Sequence, residues 1–156
     1  MTSKVKPIPD GYHTVTPYLV VKDAASAIDF YKKAFGATEL FRFATPGGKV
    51  GHAELKIGDS PIMLADEAPE MDARSPHTLG GTAMSILLYV TDVDAQFKLA
   101  VAAGAKVLRP VQDQFYGDRS GFLQDPFGHR WGLATHKEDL SVEEVGKRAA
   151  ALHRKK

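Results

Sequence analysis

The sequence predicts an α+β protein built from two βαβββ modules followed by a C-terminal helix. Two observations support this prediction. Residues 16–37 and 85–105 share one pattern: an apolar extended run, an Asp, a stretch with helical spacing and a Gly-Ala pair. Each copy then precedes strand-like segments that end in Gly-Asp or Asp-Pro turns. Such self-similarity is typical of a repeated supersecondary unit that cannot bury its apolar face alone. The seam between paired units is where we expect a pocket.

The first module is expected over residues 14–66, after a polar, Pro-rich tail over residues 1–13. Asp23 is placed to cap a helix whose apolar residues recur at spacings of three and four. Gly36 ends that helix, because glycine readily takes the left-handed conformation at a helix C-terminus. The strands of this module are expected at 16–21 and near 39–44, 51–57 and 61–65.

The second module is expected over residues 83–137, with its helix at 94–103. Residues 67–82 lack periodicity and contain several Pro and Gly residues, so we interpret them as the linker between the modules. A final helical segment over residues 138–156 is expected to start at Ser141, which forms a capping-box pattern with Glu144. The strands are expected near 84–91, 107–111, 120–124 and 130–135.

Composition excludes several classes of function. The 156 residues suit one domain or two half-domains that share a core. Because 20 basic and 19 acidic side chains nearly cancel, we expect no nucleic-acid or membrane partner. The absence of cysteine excludes disulfides and a thiol nucleophile. No apolar run has signal-peptide or membrane-spanning length, so we expect a cytoplasmic protein.

The most suggestive polar pair is His52 and Glu54. They lie two residues apart on a predicted strand, so both side chains point to the same face of its sheet. Such a pair suits a proton relay or a relocated metal site, although it also suits a solvated sheet face. No HExxH or similar ligand spacing occurs, so spacing alone gives little evidence for a metal.

A second candidate is the run from Phe115 to Arg119, which precedes a predicted strand and contains two aromatic residues, a Gly and an Asp-Arg pair. Arg119 could orient a polar or anionic ligand, with Phe115 and Tyr116 in aromatic contact. A strand-entry turn with local hydrogen bonds explains the same residues equally well.

Four segments resemble the vicinal-oxygen-chelate superfamily of glyoxalases, bleomycin-resistance proteins and extradiol dioxygenases, and in particular its PhnB-like branch. The segments are VVKDAASAIDFYKKAFGA, GHAELKIGDSPIMLAD, SPHTLGGTAMSILLYVTDVD and FYGDRSGFLQDPFGHRWGLATHKED. The resemblance implies paired modules whose sheets curl into an open cleft, usually within a homodimer.

Metal-dependent relatives hold one divalent ion with a His or Glu from the first and last strand of each module. The resemblance places these positions on Thr16, Met63, Ser85 (or Ile86) and Gly132. None of these residues is a good ligand for a divalent ion. We therefore expect neither metal nor another cofactor.

The resulting expectation is a metal-free homodimer that binds a small organic molecule in its cleft. One alternative is an enzyme, lyase/isomerase or dioxygenase-like, with a relocated acid–base or metal site around His52, Glu54 and Arg119. Another is an interaction module that docks through the C-terminal helix. The expected cleft residues are Thr16, Tyr18, Met63, Ser85, Leu87, Phe115, Tyr116, Arg119 and Gly132.

Overall fold

The computed structural model describes residues 5–153 and divides them into two compact units, one ending at Gly81 and one starting at Thr82. Residues 1–4 of the expected N-terminal tail and residues 154–156 of the expected C-terminal helix lie outside the described residues. The first unit contains β1 (Tyr18–Val21), α1 (Ala24–Phe35), β2 (Thr38–Ala44), β3 (Val50–Ile57) and β4 (Ser60–Asp66).

The first unit is a four-stranded mixed sheet in the order β1-β4-β3-β2 with α1 packed on one face. β1 runs parallel to β4, and the other neighbours are antiparallel. As predicted, the Asp23 carboxylate accepts a hydrogen bond from the Ser26 amide at 3.0 Å, and Gly36 ends the helix with φ 66°. The core residues Leu19, Leu55 and Leu64 are completely buried.

The segment expected as a linker is folded onto the first unit. It contains a 3-10 turn (Pro69–Met71) and the short helix α2 (Pro76–Leu79). Glu67 accepts hydrogen bonds from the Ser75 amide at 3.0 Å and the Thr78 hydroxyl at 2.7 Å. These bonds lower the pKa of Glu67 to about 2. Side-chain hydrogen bonds, which carry no periodic signal, therefore organise the segment.

The second unit repeats the topology of the first. Its sheet has the order β5-β8-β7-β6, again with one parallel and two antiparallel pairs. Asp92 caps α3 by accepting a hydrogen bond from the Ala95 amide at 3.0 Å. The elements are β5 (Ser85–Tyr89), α3 (Val93–Ala102), β6 (Lys106–Asp113), β7 (Asp118–Gln124) and β8 (Arg130–His136). The predicted α+β class with two βαβββ modules is confirmed.

The Asp-Pro-Phe-Gly-His turn between β7 and β8 is organised by Asp125, which is almost fully buried. Its Oδ1 atom accepts hydrogen bonds from the amides of Phe127 and His129, both at 2.9 Å. Its Oδ2 atom accepts the indole N–H of buried Trp131 at 2.8 Å. One carboxylate therefore holds the turn against the core of the second unit.

The predicted C-terminal helix is present as α4 (Val142–His153). The Ser141 hydroxyl accepts the Glu144 amide at 3.1 Å, whereas the Glu144 carboxylate accepts Arg148 Nε at 3.1 Å. Two apolar residues of this helix, Val142 and Leu152, are exposed. Among residues 5–153, no helix is both long and apolar enough to cross a bilayer.

Candidate functional site

His52 and Glu54 lie on the face of the first sheet that is opposite α1. Their neighbours on β3, Ala53 and Leu55, are completely buried on the helix side, so strand alternation directs His52 and Glu54 away from it. The side chain of His52 is 19% exposed and that of Glu54 is 16% exposed. The pair is therefore largely withdrawn from solvent.

Tyr18, His52 and Glu54 form a continuous hydrogen-bonded chain across three strands. The Tyr18 hydroxyl lies 2.9 Å from His52 Nδ1, and His52 Nε2 lies 3.2 Å from Glu54 Oε1. Because a carboxylate only accepts hydrogen bonds, Nε2 donates to Glu54. Nδ1 of the neutral ring then accepts the proton of Tyr18. The chain fixes one tautomer of His52.

Three aromatic rings surround His52. The ring centroids of Tyr18, Phe41 and Phe43 lie 5.5, 5.6 and 6.0 Å from that of the imidazole. These three residues are 47%, 46% and 54% exposed, which makes a contiguous exposed aromatic surface. Such surfaces mark binding sites in globular proteins. Tyr18, Phe41, Phe43, His52 and Glu54 together are called the His52 cluster.

Sequence reasoning missed Phe41 and Phe43. Both lie on β2, two residues apart, and pair with the strand that carries His52: Phe41 is opposite Glu54, and Phe43 is opposite His52. The same two-residue spacing that selected His52 and Glu54 is present in Phe41-Arg42-Phe43. The antiparallel register that joins the two pairs is not visible in the sequence.

A cavity of about 490 Å³ adjoins the His52 cluster. Its walls combine Glu54 with the predicted positions Thr16 and Met63, and with residues of the segment expected to be a tail. The Thr16 hydroxyl donates to the His13 carbonyl at 3.2 Å, and the Tyr12 hydroxyl is buried with no hydrogen-bond partner among the described residues. The lining residues are Pro7, Ile8, Pro9, Tyr12, His13, Thr14, Thr16, Glu54 and Met63.

In the second unit, Leu87 and Gly132 lie opposite each other on β5 and β8, while Ser85 lies opposite Arg130. A Cβ atom at Gly132 would meet Leu87 Cδ1 at 2.5 Å and Phe122 Cε1 at 3.0 Å. Neighbouring apolar side chains therefore fill the space that a larger residue at Gly132 would need. Sequence reasoning missed Phe122, whose ring centroid also lies 5.2 Å from Arg109 Cζ.

A second polar network lies in the same unit, around the almost fully buried Asp118. The Tyr89 hydroxyl donates to Asp118 Oδ2 at 2.8 Å, and His136 Nδ1 lies 2.7 Å from Asp118 Oδ1. Asp118, followed by Asp139, raises the pKa of His136 by hydrogen bonding to its protonated ring. The hydrogen bond to Asp118 likewise raises the pKa of Tyr89. The sequence contained no spacing signal for this network.

Phe115 and Tyr116 lie in the hairpin turn between β6 and β7. Their ring centroids are 5.2 Å apart in an edge-to-face arrangement. The Tyr116 hydroxyl lies 3.3 Å from the Ser120 hydroxyl, and the Gln114 amide donates to the Asp118 carbonyl at 2.7 Å. Phe115 and Tyr116 therefore belong to the turn that leads into β7.

The structure does not bring Arg119 together with Leu87 and Gly132. Its guanidinium donates to both carboxylate oxygens of Asp94, at 2.7 and 2.9 Å, and to Asp113 at 3.1 Å. Asp94 lies in the first turn of α3, so Arg119 is on the helix side of the second sheet. This placement does not support the predicted role of Arg119 as a cleft anchor, because its donors already bind two carboxylates.

The residues at the expected metal positions do not fit a divalent ion. Thr16 offers a hydroxyl that already donates to a carbonyl, and Met63 offers a thioether. Both groups are poor ligands for a divalent ion. Gly132 offers no side chain and is covered by Leu87 and Phe122. Within residues 5–153, no three His, Asp or Glu side chains lie together in a way that could hold a metal.

The model of the glyoxalase/bleomycin resistance protein/dioxygenase superfamily matches residues 12–133. The chain belongs to this superfamily. An uncharacterised protein of Mycobacterium tuberculosis H37Rv is 48% identical over 134 residues, which cover 84% of this chain and 79% of that protein. An uncharacterised protein of Mycobacterium bovis is also 48% identical over 134 residues, covering 84% of this chain and 88% of that protein.

Solved structures show the same fold. TioX from Micromonospora sp. ML1 is 28% identical, with a TM-score of 0.64, and the match covers 80% of this chain and 98% of TioX. A gene product of Arabidopsis thaliana is 28% identical, with a TM-score of 0.62 and coverage of 79% and 98%. These superfamily relatives leave the ligand to be inferred from the site itself.

Proposed function

We propose that this superfamily member is a metal-free protein of the PhnB-like branch that binds a small organic molecule beside the His52 cluster. The supporting observation is the exposed aromatic surface around His52 next to a cavity of about 490 Å³. This volume lies within the range of typical small-molecule sites. The PhnB protein from Bacillus cereus, 21% identical with a TM-score of 0.62, shares the fold alone.

The proposal includes a cytoplasmic homodimer in which residues 14–66 and 83–137 act as the two modules of one glyoxalase/bleomycin-resistance domain. The resemblance to the branch supports the dimer. The exposed apolar residues Val142 and Leu152 on α4 suit burial against another surface. Light scattering coupled to size exclusion measures the mass directly, and a monomer at micromolar concentration would contradict this part of the proposal.

The binding proposal is tested by thermal unfolding with a panel of planar aromatic compounds. A compound present at 100 times its dissociation constant should stabilise the protein by about 2.7 kcal/mol. Phe43→Ala removes an exposed ring of the His52 cluster and should reduce the shift. Met71→Ala, a control at an exposed apolar residue outside the site, should leave it unchanged. The proposal fails if no compound shifts Tm or if both variants respond like the wild type.

The hydrogen-bonded chain supports a second candidate function, an enzyme that uses His52 as an acid–base group. Tyr18 ends the chain and is 47% exposed, so a proton taken up at Tyr18 could reach Glu54 through the imidazole. The test is deuterium incorporation into small α-oxo acids and aldehydes in deuterium oxide. Deuterium incorporation that is abolished in His52→Gln would establish this function. Incorporation at the uncatalysed rate in the wild type would contradict it.

A further inference from the structure

We infer that the ligand of the cavity carries a protonated amine or a similar cationic N–H group, which binds to the carboxylate of Glu54. This inference rests on the proposed binding function and adds the chemical class of the ligand. Its basis is a largely buried carboxylate that no Lys or Arg of the described chain contacts.

Glu54 is a charged group in a largely apolar wall. Its side chain is 16% exposed, and Met63 lies opposite it on β4. Pro7, Ile8 and Pro9 supply further apolar surface to the same cavity. Withdrawal of a carboxylate from water is costly unless a cation or several hydrogen bonds compensate it. The cavity therefore favours a guest that supplies this compensation.

The protein itself supplies only part of the compensation. His52 Nε2 donates to Glu54 Oε1, and His52 Nδ1 on the other side of the ring is hydrogen-bonded to the Tyr18 hydroxyl. Within residues 5–153, no Lys or Arg makes an ion pair with Glu54. His13, the basic residue of the cavity wall, has its Nε2 atom 3.3 Å from the Asp59 carbonyl. The second oxygen of Glu54 is thus the natural contact for a cationic donor.

The aromatic rings strengthen the same preference. A cation is attracted to the faces of Tyr and Phe rings, and a nearby carboxylate adds to this attraction. Phe41 lies opposite Glu54 in the sheet register, and Tyr18 lies opposite Met63. An ammonium group beside Glu54 would therefore have aromatic surface on neighbouring strands. An anionic guest would meet the carboxylate and the negative faces of the same rings.

The experiment compares three probes that share one apolar body: biphenylmethylamine, biphenylmethanol and biphenylacetate. Their affinities are measured by calorimetry for the wild type, Glu54→Gln and Asp29→Asn. Asp29 is exposed on α1 and serves as the control for loss of one negative charge. The glutamine variant keeps the shape of Glu54, and its thermal unfolding confirms that it remains folded.

The wild type should bind the amine about tenfold or more tightly than the alcohol, and the acid most weakly. Glu54→Gln should remove the preference for the amine while leaving the affinity for the alcohol within about twofold, and Asp29→Asn should behave like the wild type. Equal binding of all three probes, or an unchanged preference in Glu54→Gln, would overturn the amine inference and leave the binding function standing. No binding of any probe would overturn both.

Discussion

Tyr18 and His52 are 34 residues apart in the chain, yet the Tyr18 hydroxyl lies 2.9 Å from His52 Nδ1. The bond crosses the sheet, because Tyr18 is on β1 and His52 is on β3, with β4 between them. Together with Glu54 on the other nitrogen, Tyr18 determines which ring atom of His52 carries the proton. The hydrogen bonds of the His52 cluster are therefore present in the protein without a bound ligand.

This order predicts the tautomer of His52. In the neutral ring the proton should be on Nε2, because Nδ1 accepts the hydrogen bond from Tyr18. Nitrogen-15 NMR of the imidazole distinguishes the two tautomers. Tyr18→Phe should increase the population of the Nδ1–H form and lower stability by about 1 kcal/mol or less. A wild-type ring with its proton on Nδ1 would contradict the geometry of the chain.

The turn between β7 and β8 predicts strong coupling between Asp125 and Trp131. Asp125→Asn places an amide donor where the indole N–H needs an acceptor, and it should destabilise the protein by about 1–3 kcal/mol. Trp131→Phe removes that N–H, so Asp125→Asn should cost less in the Trp131→Phe background. Denaturant unfolding of the two single variants and the double variant measures the coupling energy. Additive effects would show that the indole bond contributes little.

His136 predicts a pH dependence of stability. Its folded-state pKa is raised, chiefly by Asp118, so the folded protein holds a proton that the unfolded chain releases near pH 6.5. This contribution is complete below that pH and is lost as the pH rises through the raised folded value. The wild-type minus His136→Gln difference in unfolding free energy should therefore decrease over this interval. Asp139→Asn removes the fully exposed carboxylate partner of His136, so it should alter the pH dependence of stability less than His136→Gln does. A pH-independent difference would refute the linkage.

Two glycines of the second unit should respond oppositely to alanine. Gly117 has φ 99°, and a Cβ atom there would lie 2.5 Å from the Glu138 carbonyl oxygen. Gly117→Ala should cost about 1–3 kcal/mol from backbone strain alone, with the steric overlap added. Gly146 lies within α4 with no atom near its Cβ position, so Gly146→Ala should stabilise the helix by about 0.5–1 kcal/mol. Thermal unfolding of both variants checks the pair.

The buried hydroxyl of Tyr12 should contribute little to the stability of the free protein. The hydroxyl has no partner among residues 5–153, although it is solvated in the unfolded chain. Its removal in Tyr12→Phe should leave the Tm of the free protein unchanged or raise it. The corresponding gain in the free energy of unfolding is at most about 1 kcal/mol. A clear loss of Tm would show that the hydroxyl has a stabilising contact in the free protein.

Local signals in the sequence were sufficient to predict the two modules. Asp23 caps its helix as expected, and Asp92 caps the second helix in the same way, because a side-chain cap depends on residues only three positions apart. The packing of residues 67–82 was not predicted. Glu67 reaches Ser75 and Thr78 through a single non-repeating arrangement, which composition and periodicity cannot reveal.

The candidate site was predictable only along each strand. Alternation identified His52 with Glu54, but Tyr18, Phe41 and Phe43 join them through strand register. For Arg119, the residues next to it in the sequence suggested a role that its contacts in the structure do not support. Its sequence neighbours suggested a ligand anchor, while its partner Asp94 lies on α3, twenty-five residues earlier.

The two modules hold the starts of their helices in the same way. Asp66, three residues after Met63, accepts the Ala24 amide at 2.9 Å, and Thr135, three residues after Gly132, accepts the Val93 amide at 2.9 Å. Ala24 and Val93 are the first residues of α1 and α3. A carboxylate and a hydroxyl thus make the same bond at equivalent positions of the two modules. Because each helix start is held by the last strand of its own sheet, the sheet face away from the helix takes no part in this bond, and it carries the His52 cluster in one unit and Asp118 in the other.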